Sequence, residues 1–193
     1  MKNQTTKDRP QRILDTALLL FYNSGYFNTS VHDIQHAADV SIGSIYHHFG
    51  NKQGIARALY HHLADQMTEA VFQIMAENAG LYRQGRAFLD YLFAMAETAP
   101  AAMHYILCAR HQEFMPGEKS ICSSKPFERI QQRIRQAMDQ GEIRKLDPAI
   151  ASAALFGGAI RLIHLRLDGV LDRPLSDCAA ETWQCAWRCV ALQ

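Results

Sequence analysis

Twenty residues, SVHDIQHAADVSIGSIYHHF from Ser30 to Phe49, constrain this chain more than any others. They read as two short helices joined by a tight turn. Ser30 is placed to cap the first, and Asp33 three residues on completes a near capping box at the positive helix end. Val31, Ile34, Ala37 and Ala38 mark its buried side. Asp39 falls where the chain must reverse, Val40 anchors the turn, and Ser41 caps a second helix. In that helix Gly43 and Ser44 keep the leading face small, Ile45 and Phe49 point inward, and Tyr46, His47 and His48 are left outward. Gly50 ends it and Asn51 caps the next. A second helix of this kind is how a helix-turn-helix meets the major groove of DNA. A helical hairpin whose polar face meets only water is the competing reading. Lys52, opening the following helix, is placed to meet a phosphate and favours the first.

The flanks extend the pattern. Ile13, Ala17, Leu20 and Phe21 form one face of a helix before it. Leu20, Phe21 and Gly25 are followed by Thr29-Ser30-Val31. After these come the Val40-Ser41-x-Gly43-x-Ile45-Tyr46-x-His48-Phe49 run and Asn51-Lys52. Over residues 9 to 60 this order resembles the N-terminal domain of the TetR family of bacterial transcriptional regulators. Two positions depart from it: Gln35 stands where the family often has Ala, and Asp39 where it often has Gly. Asp visits left-handed backbone more readily than most residues, so the turn survives.

The resemblance implies an all-α, nine-helix, two-domain protein. Residues 1–52 would form a helix-turn-helix DNA-binding domain, and residues 53–193 a helical effector-binding and dimerisation domain. It implies a ligand-responsive regulator, most often a repressor. Such a protein binds a palindromic operator as a homodimer and is released by a small-molecule effector. Ile42, Gly43, Ser44 and Tyr46 match positions that approach base edges. Thr29, Ser30, His47, His48 and Lys52 match phosphate-facing positions, and Ser41 at the helix cap belongs with this set. Ile42 and Gly43 can read only thymine methyl groups or local shape, and no Arg, Asn or Gln lies on the leading face.

Composition is consistent with a specific rather than a general nucleic-acid binder. The 193 residues carry a net charge of +1, not the basic excess of a coat protein. Within residues 1–60 six Lys and Arg oppose four Asp, which allows a small positive patch. The polar start MKNQTTKDRP and the lack of an apolar run of membrane-span length point to the cytoplasm, with no membrane partner. Five cysteines, an odd number, argue against a disulfide framework.

Beyond the segment, helical periodicity continues. Ile55, Leu59, Leu63, Met67, Val71 and Ile74 trace a long linking helix, and Leu81 to Glu97 a buried one. A helix from about Ala101 to Gln112 precedes the loop MPGEKSICSSKP. A stripe of Phe127, Ile130, Ile134, Ala137 and Met138 follows, and Asp147-Pro148 is a strong helix start. Asp168-Gly169 ends that helix, and Ser176 or Asp177 starts the last. Candidate effector contacts are Met67, Phe88, Tyr91, Phe93, Met95, His104, Tyr105, Cys108, Phe127 and Ile130, each of which ordinary core packing would also explain. Leu155, Gly158, Leu162 and Leu165, with Cys185 and Cys189, are candidates for a dimer interface, again against packing within one subunit. Cys178 falls on the same helical line as the last two. His104, Cys108 and His111 at i, i+4 and i+7 would share a helix face and could bind zinc with Cys122 or a carboxylate. The expectation is nonetheless no metal and no cofactor, because tight CxxC-type spacing is missing. Control by metal, by cysteine oxidation or by a protein partner remains the alternative to an organic effector. An enzyme is disfavoured, since HExxH, a phosphate-binding glycine loop and Gly-x-Ser-x-Gly are all missing.

Overall fold

The computed structural model describes residues 9–118 and 124–192. Among them are ten helices: α1 (Arg9–Ser24), α2 (Val31–Ala38), α3 (Ile42–Phe49), α4 (Lys52–Glu77), α5 (Gly80–Thr98), α6 (Pro100–Leu107), α7 (His111–Phe114), α8 (Lys125–Asp139), α9 (Pro148–Leu167) and α10 (Leu175–Arg188). No strand occurs among the described residues. The count exceeds the expected nine because the helix foreseen from Ala101 to Gln112 breaks. The N–H groups of Cys108 and Ala109 both return to the carbonyl of His104, and a single new turn starts at His111. His104, Cys108 and His111 therefore do not share one helix face. No group of three or more His, Cys, Asp or Glu among the described residues could hold a metal ion. Cys122 lies outside the described residues.

The chain divides into two compact units. The first joins residues up to Leu63 with 104–120, and the second joins 64–103 with 121–193. In the first, α1 buries Ile13, Leu14, Ala17 and Phe21, α2 buries Ile34 and Ala38, α3 buries Ile45, and α4 buries Ile55, Ala56 and Leu59. The late segment completes this core. The Tyr105 hydroxyl donates to the Ala56 carbonyl at 2.9 Å, and Phe114 stacks on Tyr26 at 4.1 Å between ring centroids. Gln53 donates to the Phe114 carbonyl at 2.9 Å, and Arg57 pairs with Glu118 at 2.9 Å. A buried tyrosine needs a partner for its hydroxyl, so the Tyr105 bond fixes both depth and register of the late segment.

In the second unit α5 buries Leu81, Phe88, Leu89, Leu92 and Phe93 against α8, α9 and α10. Asp147 caps α9 by accepting the N–H groups of Ala149 and Ile150, with Pro148 at the first helical position as its spacing foretold. Glu97 at the end of α5 takes a forked pair of bonds from Arg166 at 3.0 and 3.1 Å and the N–H of Leu175 at 2.9 Å. These bonds hold the Glu97 carboxyl below its usual range, the Arg166 bond contributing most. Trp183, fully buried, lies where a side chain on Gly85 would be: a Cβ there would stand 2.2 Å from Cη2 of the indole.

α9 departs from one expectation. Its twenty residues are long and apolar enough, by length and composition only, to cross a membrane. Ala151, Leu155, Phe156, Ala159 and Ile163 instead pack into the core of the second unit, while Gly157 and Gly158 are exposed.

Candidate nucleic-acid interface

The interface is built by caps that the sequence specifies locally. The Ser30 hydroxyl accepts the Asp33 N–H at 3.1 Å, and the Asp33 carboxylate accepts the Ser30 N–H at 2.7 Å, a complete capping box. Those bonds, the backbone one first, hold the Asp33 carboxyl below its ordinary value. Asp39 adopts φ 51°, ψ 56°, the one left-handed non-glycine among the described residues. From α1, Arg12 donates to the Asp39 carbonyl at 3.0 Å and clamps the turn. The Ser41 hydroxyl accepts the Ser44 N–H at 3.2 Å to start α3. Gly50, at φ 73°, ends it, and the Asn51 side chain accepts the Gly54 N–H at 2.8 Å to start α4.

The exit of α3 depends on a residue that the sequence did not flag. A Cβ on Gly54 would stand 1.8 Å from the Phe49 carbonyl oxygen, so only glycine lets α4 begin this close to the end of α3. Nothing local in the sequence marks Gly54, because its neighbour is the backbone of the preceding helix.

The outer face of α3 is open. Tyr46 is 51% exposed, His47 and His48 are exposed, and a Cβ on Gly43 would meet no atom within 4 Å. Ser30 and Ser41 are exposed, and Ile42 and Ser44 half-buried. Two residues of the expected set lie differently. Thr29 is buried, its hydroxyl donating to the Gly25 carbonyl at 2.9 Å. The Lys52 ammonium donates to the carbonyls of Tyr26 and Thr29 at 2.8 and 2.7 Å and sits 4.3 Å above the Tyr26 ring. Burial lowers its pKa, and the Asp33 carboxylate opposes that. Both side chains thus hold the loop that leads into α2, instead of projecting from the surface.

The other expected sets are divided. Phe88 and Ile130 line a small apolar cavity in the second unit, and the Phe88 ring packs against Tyr91 and Phe127. Met67 and Phe93 are buried and Met95 half-buried. His104, Tyr105 and Cys108 belong to the first unit, where His104 meets the Tyr22 ring edge-on. Of the expected dimer residues, Leu155 is spent inside its own core. Leu162 and Leu165 are half-buried, and Gly158, Cys185 and Cys189 are exposed. Cys178, on the same helical line, is buried.

Comparison with known proteins bears on the helix-turn-helix segment. The family model described as bacterial regulatory proteins, tetR family, matches residues 13–59, from α1 to the start of α4. Residues 13–59 are thus similar to the N-terminal domain of that family. Among curated proteins it is 33% identical over 96 residues to the HTH-type transcriptional repressor KstR2 of Rhodococcus jostii. That match takes in 50% of this chain and 45% of KstR2, so the chain spans about half the length of this relative. Solved structures share the TetR fold across nearly the whole length. A TetR-family regulator from Marinobacter aquaeolei VT8 aligns with a TM-score of 0.82 at 19% identity, covering 97% of each chain. The fatty acid degradation regulator FadR from Bacillus halodurans aligns at 0.80 and 16% identity, covering 95% of this chain and 96% of its own. At such identities the likeness is one of fold.

Proposed function

We propose that this chain is a transcriptional regulator of the TetR family, a repressor, that binds a palindromic operator as a homodimer and releases it when a small molecule binds. The observation that carries the reading is the open face of α3. Its first turn is capped by Ser41, Gly43 leaves its backbone uncovered, and Tyr46, His47 and His48 project beyond it. A helix N-terminus with free backbone N–H groups attracts phosphate, and a small-faced helix can approach base edges. Tyr46 and the exposed serines are the contacts from this chain. Thr29 and Lys52 act one step behind them by fixing the loop before α2. Repression is supported by the likeness to KstR2, a protein described as a repressor. The homodimer is supported by the exposed Gly157-Gly158 pair on α9 and the exposed Cys185 and Cys189 on α10, a surface on which a second copy can pack closely. Two recognition helices about one DNA turn apart then require a two-fold symmetric site.

The test is selection of bound DNA from a random pool with the purified chain. An enriched palindrome, bound by the wild type and lost in Tyr46→Ala with its melting temperature unchanged, is the expected result. A pool that stays unenriched, or sedimentation as a monomer at micromolar concentration, overturns the reading.

A further inference from the structure

We propose that the second unit binds an organic anion with an apolar body, its charged group held by Arg133 and Arg129. The inference rests on reading the chain as an effector-responsive regulator and names the chemistry of that effector. An open groove of about 510 Å³ lies between α4 and α8, lined by Phe72, Met75, Gln84, Arg129 and Arg133 among others. Met75, Gln84 and Arg133 also line the small apolar cavity that Phe88 and Ile130 line. These three side chains are therefore the partition between a solvent-facing groove and an apolar interior.

The partition holds an unmet donor. Arg133 Nε donates to Gln84 Oε1 at 2.6 Å, and Nη2 pairs with Glu142 Oε1 at 2.5 Å. Its Nη1 is out of solvent and has no partner. Glu142 cannot supply one without giving up a bond, because its other oxygen accepts the Leu81 N–H at 2.6 Å. Burial alone would raise the Glu142 carboxyl, but the Leu81 and Arg133 bonds hold it below its ordinary value, so it stays charged and committed. A buried guanidinium N–H without an acceptor is rare and costly, and a carboxylate, with its paired oxygens, is the natural complement.

The sign of the charge follows from the rest of the groove. Arg129 lies against the Phe72 ring, 4.6 Å from its centroid, and the described lining contains two arginines and no acidic side chain. Glu142 already answers the charge of Arg133, so the charge left to the groove is that of Arg129, and an anion can meet it together with the unmet Nη1 donor, as a cation or a neutral molecule cannot. The apolar cavity has room for about 20 Å³, roughly one water, so the apolar body occupies the groove and reaches the interior only by parting the Met75–Gln84–Arg133 partition. Trp183 rests on Gly85, which lines that cavity, and its fluorescence therefore reports the event.

The full chain is titrated with decanoate, 1-decanol and decyltrimethylammonium below their aggregation limits, following tryptophan fluorescence and melting temperature. Decanoate is expected to saturate at micromolar concentration, at least about tenfold more tightly than decanol, because it alone gains charged hydrogen bonds. Decyltrimethylammonium is expected to give no signal. Arg129→Gln and Arg133→Gln should each remove most of the decanoate advantage and leave decanol unchanged. Arg129→Gln keeps the Arg133–Glu142 pair, so it remains informative if the second variant does not fold. Equal affinity for decanoate and decanol, no decanoate binding up to millimolar, or full decanoate affinity in Arg129→Gln overturns the proposal. DNA selection is run without any ligand, which separates the two readings. An enriched palindrome with a silent decanoate titration sinks this inference alone. Decanoate binding without any selected DNA sinks the regulator and leaves the anion site standing.

Discussion

Gly54→Ala is expected to damage the protein through the junction of α3 and α4. The added methyl would sit 1.8 Å from the Phe49 carbonyl oxygen and 2.9 Å from its carbon, where real side-chain carbons stay beyond about 3 Å. Both obstructing atoms are backbone, so no rotamer change relieves the contact. Either the end of α3 or the start of α4 must move by roughly 1 Å, and the Asn51 cap on the Gly54 N–H moves with it. Overpacking of this kind costs about 3 kcal/mol, while alanine's better helix propensity returns about 1 kcal/mol, leaving a net loss of about 2 kcal/mol. For a chain of this size that corresponds to about 4–8 °C in melting temperature. Gly43→Ala is the internal control. Its new methyl meets nothing within 4 Å, so the same substitution eleven positions earlier should stabilise by about 0.5–1 kcal/mol. That methyl projects from the open face of α3, so operator affinity should fall even as stability rises. Differential scanning calorimetry and electrophoretic mobility shift on the selected palindrome read the two effects. A Gly54→Ala protein that melts with the wild type, or a Gly43→Ala protein that melts lower, would refute the reasoning.

Other outcomes follow from the same geometry. Ser30→Ala removes the capping box and should cost about 1 kcal/mol at neutral pH. Since Asp33 titrates below its ordinary value of 3.8 when folded, the part of the advantage carried by its carboxylate is full above that value and is lost as pH falls through the folded one, while the Ser30 hydroxyl keeps the Asp33 N–H. Denaturant unfolding of the two proteins should therefore draw closer in strong acid. Lys52→Met should destabilise by about 1–3 kcal/mol, having lost two carbonyl bonds to a charged group. It should leave the salt dependence of DNA binding unaltered, and a slope reduced by about one phosphate would show that Lys52 touches DNA. Burial lowers the pKa of His111 from 6.5, so the folded state resists its protonation. Stability is complete above 6.5 and declines as the pH drops below it. The thermal unfolding of His111→Phe should be flatter between pH 7 and pH 5, and an unchanged slope would exclude His111 as the titrating group.

The elements legible in the sequence are those fixed by neighbours a few positions away. Ser30 with Asp33, Ser41, Asn51 and Asp147-Pro148 all act within one helical turn, and each caps the helix it was expected to cap. Asp39 turned left-handed in place of glycine as its chemistry allows. Distant partners were not legible. Thr29 and Lys52 have the chemistry of surface contacts, yet both are turned inward by carbonyls of the loop before α2. The break between α6 and α7 falls at Cys108-Ala109-Arg110, which contains neither glycine nor proline. Tyr105 before it and Phe114 after it both pack within the first unit, on Ala56 and Tyr26. Leu155 and Leu165 read as one apolar stripe, but the first is buried and the second half-buried. Periodicity identifies a face and does not say which neighbour covers it.

The first unit draws its last core residues from Tyr105 to Glu118, far along the chain from the helix-turn-helix they support. A ribosome adding about 5–20 residues per second needs roughly 3–11 s to travel from Leu63 to that segment. During that interval the nascent head has all four of its early helices but no Phe114 for Tyr26 and no Tyr105 for Ala56. Tyr26 and its neighbours lack these partners until then. The core of the first unit is thus completed only after more than half of the chain has been made, and a chain cut short before that point lacks the side chains that close it.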